Sequence, residues 1–143
     1  SAPDGKPAIG CVRKTLADAG MEPQQIDHIN AHGTSTPEND RMEYTGLSKV
    51  FGDAVTTTPI SSNKSMIGHT LTAAGAIEAV FSTLTLARGV LPPTINYDTP
   101  DPAIPLDTVP NVARSAEPAT ALSNSFGFGG QNASLVVGRA PRD

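Results

Sequence analysis

The sequence predicts an α/β fold with a mixed sheet and helices packed on it. Helical and strand patterns alternate through residues 7–89, and two apolar runs around a glycine-rich tip close the chain. Size sets the third condition. A chain of 143 residues with 38% hydrophobic and 17% charged content can bury one core, so a single compact unit is expected over residues 1–143.

The first helix is expected over residues 7–19, where Ile9, Val12, Leu16 and Ala19 recur at helical spacing and Gly20 supplies a favoured stop. Pro23 opens a short turn, and residues 26–31 read as a strand running into "AHGTSTPEND". Residues 37–50 read as the next helix, with Pro37, Glu38, Asp40 and Glu43 at or near its electrically positive start and Gly52 after its end. The β-branched, hydroxyl-rich residues 56–62 read as a second strand delivering the loop "NKSMIGHT". A long helix is expected over residues 70–88, ended by Gly89. The interval "LPPTINYDTPDPAIPL" cannot be regular helix and is expected to cross the surface in extended form. Residues 121–126 and 133–137 read as paired strands around "GFGGQN".

Charge and cysteine usage exclude several functions. The net charge is -4 and the ten Lys and Arg are scattered without a run, so neither nucleic acid nor an anionic membrane is expected as partner. Cys11 is the only cysteine, which excludes an internal disulfide framework and a multi-cysteine zinc site and fits a reducing cytoplasm. The apolar stretch 71–87 is interrupted by Glu78 and several threonines and is too short and polar to span a bilayer. The chain starts at Ser1 and shows no basic segment followed by an apolar one, so no secretory signal is visible and a cut N-terminus fits.

Two histidines stand where rigid elements can hold a side chain at a cleft rim. His32 and His69 each lie at a strand-loop-helix junction beside a glycine, Gly33 and Gly68, so both can face one site; either alone also fits an ordinary loop hydrogen bond. At the expected N-terminus of the long helix, the dipole would keep His69 neutral and able to donate one N–H. Glu78 lies among apolar helix residues with no basic residue within four positions. It either takes a partner from elsewhere, Lys64 being nearest in sequence on that side, or points to water. "NSFGFGGQN" exposes backbone N–H groups but meets neither the P-loop nor the dinucleotide pattern, so it is a hairpin tip or a loop carrying Phe126 or Phe128 to a pocket wall.

In order and spacing, "NAHGTSTPEND", "NKSMIGHTLTAAGAIEA", "PPTIN" and "NSFGFGGQN" resemble the C-terminal half of the β-ketoacyl-[acyl carrier protein] synthases, condensing enzymes of the thiolase-like fold. The resemblance covers nearly the whole chain. It implies a cytoplasmic dimeric acyltransferase of fatty acid synthesis, in which malonyl-carrier protein loses CO2 and attacks an acyl group held on a cysteine. His32 and His69 correspond to the pair that binds the malonyl thioester carbonyl, Lys64 to the active-site lysine and Glu78 to its acidic partner. Thr34 and Thr36 correspond to hydroxyls on the phosphopantetheine arm, and Phe128, with Phe126 beside it, to the loop phenylalanine that gates the acyl pocket. No tightly bound cofactor and no metal are implied; phosphopantetheine arrives on the acyl carrier protein.

The main departure is the missing nucleophile. In the family the cysteine belongs to the N-terminal half, and Cys11, in an ordinary helical pattern, is read as structural. His28 matches no family motif and is read as a surface or strand-end residue; Gln131 stands where many relatives carry threonine. The resemblance therefore implies partnership with an N-terminal half and a second copy. The alternative is a chain-length or decarboxylating subunit of a polyketide system, against which stands retention of His32, Lys64, His69 and Glu78 together.

Overall fold

The computed structural model describes residues 4–140. Helix α1 (Lys6–Ala19) buries Ala8, Ile9, Val12 and Leu16, and it ends because Gly20 turns left-handed at φ 64°. The N–H groups of Gly20 and Met21 then return to the carbonyls of Ala17 and Leu16. Strand β1 (His28–Asn30) follows a short turn of 3-10 helix at Pro23–Gln25. Helix α2 (Pro37–Phe51) starts on Thr36, whose Oγ1 accepts the N–H of Asn39, with Pro37 in its first turn.

Four strands form the main sheet in the order β2-β1-β5-β6, where β2 is Ile60–Ser61, β5 is Thr120–Phe126 and β6 is Asn132–Gly138. β1 runs parallel to β2 on one side and to β5 on the other, and β5 pairs antiparallel with β6. The sheet is thus mixed, as expected. Pleat alternation then divides it into two unlike faces. Ile29, Ile60 and Leu122 lie on one face, in a core cluster with Val12 and Leu16 of α1 and Leu47 and Phe51 of α2. Each such side chain contributes about 1.5–3 kcal/mol by leaving water.

The other face is polar although it is equally buried. It carries His28, Asn30, Ser61 and Ser123, all withdrawn from solvent. Helix α4 (Ala74–Arg88) packs on β5 and β6. A Cβ at Gly75 would stand 3.2 Å from Ser125 Oγ, so glycine there lets the helix close on the strand.

Two elements are much shorter than their sequence patterns, and one short turn was not expected. The stretch read as a strand over 56–62 is 3-10 helix at Gly52–Thr56, a turn, and only two strand residues. The β-branched hydroxyls responsible for that reading close the turn instead, Thr57 and Thr58 donating to the Ala54 carbonyl. Within "NKSMIGHT", Lys64–Ile67 forms one helical turn, α3. The long helix begins at Ala74, not at residue 70, because Leu71 takes φ 53° and Leu71–Ala73 is a separate 3-10 turn. The proline-rich crossing is less superficial than expected: β3 (Val90–Leu91) pairs with β4 (Arg114–Ser115), Leu91 and Val109 are buried, and the Asp107 carbonyl accepts the N–H of Ile60 on β2.

His28 corrects the surface reading. It does open a strand, but it is 0% exposed. Ser61 Oγ gives its proton to the Pro92 carbonyl at 2.6 Å and so accepts from His28 Nε2 at 2.9 Å, which fixes the neutral tautomer with the proton on Nε2. Burial holds the ring near a pKa of about 4, with Asp107 pulling weakly the other way. The unfolded chain takes up this proton near pH 6.5, whereas the folded chain refuses it until about pH 4, so this stability is complete above pH 6.5 and declines between those values. The loss from His28 alone should reach about 3 kcal/mol. In urea unfolding from pH 7 to pH 4.5, His28→Gln should flatten the decline; an unchanged slope would contradict the assignment.

Candidate active site

The loops that leave β1, β2 and β5 at their carboxyl ends converge, the usual place for a site in a parallel sheet. They bring His32 and Lys64 together beside Phe126, the last residue of β5, and the loop into α4 adds His69. The His32 and His69 rings meet edge-on, 5.7 Å between centroids at 85°, and Phe126 stands 5.9 Å from His32.

His32 is aimed by its backbone. Gly33 takes φ 52°, and a Cβ there would fall 2.5 Å from Ser62 Oγ, so only glycine fits; Ser62 Oγ donates back to the Gly33 carbonyl at 2.7 Å. Ser35 is also left-handed, at φ 64°, an uncommon state for serine. The loop is held by Glu43 on α2, whose carboxylate accepts the N–H of His32 at 2.9 Å, the N–H of Gly33 at 3.0 Å and Asn39 Nδ2 at 3.2 Å. Burial pushes the Glu43 carboxyl up while those donors pull it down. The sequence reading gave Glu43 only a role at the helix start. Its spacing, four after Asn39 and four before Leu47, was the available sign that it lies on the buried face.

His32 itself is buried, and its Nδ1 has no partner among the described residues. Desolvation, then the charges of Lys64 and His69, lower its pKa to about 4, so the ring is neutral at physiological pH. His69 is exposed and lies before the 3-10 turn that precedes α4, outside the reach of that helix's dipole, which falls off within the first turn. A local bond orients its ring. Nδ1 accepts the Leu71 N–H at 3.1 Å, so the neutral ring carries its proton on Nε2 and presents a fixed donor. The left-handed turn at Leu71 accompanies this bond.

Lys64 Nζ and Glu78 Oε1 are 2.6 Å apart, both side chains almost wholly buried, so Glu78 does take its partner from elsewhere. Burial raises the Glu78 pKa against the opposing pull of Lys64. Gly33, Thr34, Lys64 and His69 line a cleft of about 730 Å³ whose far wall includes Tyr97 and Ile104 of the proline-rich crossing. Thr36 does not line it and caps α2; Phe128, at the β5–β6 tip, is 100% exposed. Cys11 lies on α1 with Sγ 3.5 Å from Ser134 Oγ on β6 and does not line that cleft. No group of three or more metal-ligating side chains occurs among the described residues, and no helix among them is long and apolar enough to cross a membrane.

Removing one member of the buried ion pair leaves the other charge stranded. Lys64→Met should cost about 3–5 kcal/mol, and Lys64→Met with Glu78→Leu should recover most of it. Urea midpoints of the two variants check this; a single variant as stable as the parent would refute the pairing.

Residues 1–98 match the family model described as beta-ketoacyl synthase, C-terminal domain. The chain is 48% identical over 137 residues to 3-oxoacyl-[acyl-carrier-protein] synthase 2 of Coxiella burnetii, covering 96% of this chain and 33% of that protein. Among solved structures it is similar to a type II polyketide ketosynthase in complex with its acyl-carrier protein (TM-score 0.93, 40% identity, 97% of this chain and 34% of that one). It is also similar to the ishigamide ketosynthase/chain length factor (TM-score 0.87, 42% identity, 91% of this chain and 32% of that one). The chain spans about a third of the length of the curated relatives it matches. These motifs, this fold and this degree of identity place the chain in the β-ketoacyl synthase family, as the C-terminal part of the thiolase-like fold.

Proposed function

We propose that this chain is the C-terminal half of a 3-oxoacyl-[acyl carrier protein] synthase of fatty acid elongation and that His32 and His69 together bind the thioester carbonyl of malonyl-carrier protein. The observation that carries the reading is the edge-on pair of rings, a buried His32 that resists protonation and a His69 whose Nδ1 accepts the Leu71 N–H and leaves Nε2 as the donor. When the malonyl carboxylate leaves as CO2, the electron pair of the broken C–C bond moves onto the thioester oxygen as an enolate. Fixed N–H donors are worth most where that charge develops. The enolate carbon then attacks an acyl thioester, a C–C bond forms and the cysteine thiolate departs. Lys64 keeps positive charge beside His32 and opposes its protonation, and Glu78 holds Lys64.

The cysteine comes from an N-terminal half, and Cys11, half-buried on α1 against Ser134, has a structural role. Met66, Ile67 and Leu71, near His69 in sequence, and Val80 and Leu84 on α4 are exposed and suit a contact with that half. The carrier protein brings the substrate on its phosphopantetheine arm, with Thr34 on the cleft wall; Thr36 Oγ1, accepting from Asn39, keeps its own proton free for the arm. Phe128 at the exposed tip acts as the gate and Phe126 as a wall beside His32. The complete enzyme works as a cytoplasmic homodimer. A chain-length subunit shares the fold, but it has no need of His32, Lys64, His69 and Glu78 in this arrangement.

The full-length protein, assayed with acyl- and malonyl-carrier-protein thioesters, should form the 3-oxoacyl product. His32→Ala and His69→Ala should each reduce kcat by about a hundredfold or more. A fully active His32→Ala enzyme would remove the assigned role.

A further inference from the structure

Three side chains on the buried polar face form an unbroken hydrogen-bonded line just below the site. Asn63 Nδ2 donates to Asn30 Oδ1 at 2.6 Å, and Asn30 Nδ2 donates to Ser123 Oγ at 3.0 Å. Asn30 lies two residues before His32, Asn63 one before Lys64, and Ser123 three before Phe126. The line therefore ties the three site-bearing loops at their roots. Asn63 also anchors α3, its carbonyl accepting the N–H groups of Met66 at 3.0 Å and Ile67 at 3.2 Å.

We infer that Asn63 is a positioning residue for the two-histidine centre, holding the Lys64 turn at a fixed place relative to the strand that aims His32. The inference rests on the condensing reading above. Asn63 is 1% exposed, and its Oδ1 has no partner among the described residues. A buried amide with one atom unpaired is a poor choice for stability alone, since an apolar side chain of similar size carries no such desolvation cost. What the amide supplies is the single bond from the Lys64 turn to Asn30. The charged and titratable groups around His32 are Glu43 on α2, Lys64 on α3, His69 in the following loop and, behind Lys64, Glu78 on α4. Of these, Lys64 is the one borne on the turn that the Asn63 bond ties to Asn30.

The test uses the full-length enzyme with labelled histidines, read by steady-state kinetics, His32 titration by NMR and thermal melting. Asn63→Leu should lower kcat by about tenfold or more while KM for the malonyl thioester changes less. Its His32 titration should move up toward the ordinary histidine value as Lys64 loosens. Asn63→Ser, which keeps a donor, should recover both in good part at similar melting temperature. Should Asn63→Leu not fold, Asn63→Ala is read on the same measurements. Wild-type kcat and His32 titration in a folded Asn63→Leu or Asn63→Ala protein overturn the inference, as does Asn63→Ser faring no better than they do. A parent enzyme that fails to condense overturns the functional reading instead, and the His32 titration still decides the role of Asn63.

Discussion

Parallel pairing on both sides of β1 is the constraint from which the site follows. A three-residue strand hydrogen-bonded to β2 and β5 sends its own loop and both neighbours' loops out at one edge. His32, Lys64 and Phe126 need no long reach to meet, because backbone pairing has already set their spacing. The two faces of those strands divide the work. Ile29, Ile60 and Leu122 bury apolar area against α1 and α2, and the polar side chains opposite meet their hydrogen-bonding needs largely with one another.

Burial then converts ordinary polar residues into fixed instruments. Glu43 finds three N–H donors, two of them consecutive backbone groups of the histidine loop, so desolvating a carboxylate becomes the means of shaping that loop. The same holds for Lys64 and Glu78, whose charges are costly singly and tolerable together. His32 stays neutral because a buried ring beside an ammonium group resists a second positive charge. His69 sits in the open, and a backbone N–H orients its ring.

The α/β class, the main helices, the central strands and the terminal hairpin were legible in the sequence, because each rests on local periodicity; the meeting of His32 with His69 was legible as one of two alternatives, beside an ordinary loop hydrogen bond for either. The Lys64–Glu78 pair was legible only as one of two alternatives, since helical spacing showed an apolar setting for Glu78 without showing what approached it. Glu43, His28 and the Asn63–Asn30–Ser123 line were not legible. Glu43 meets backbone N–H groups 10 and 11 positions back across the loop into α2, and the others depend on partners 33 to 93 positions away, brought close by parallel pairing. The short β2 misled for a different reason, as the threonines that mark strands also close turns when a carbonyl four residues back is in reach.

The brevity of β1 bears on which changes of length the chain can accept. With side chains alternating across the sheet, deleting or inserting one residue within His28–Asn30 would exchange the two faces for everything after it up to the Gly33 turn. Asn30 would be driven into the apolar core and His32 turned away from His69. A change of two residues would keep the parity but pull the Gly33 turn off Ser62 and Glu43. This segment is therefore closed to changes of length in either direction.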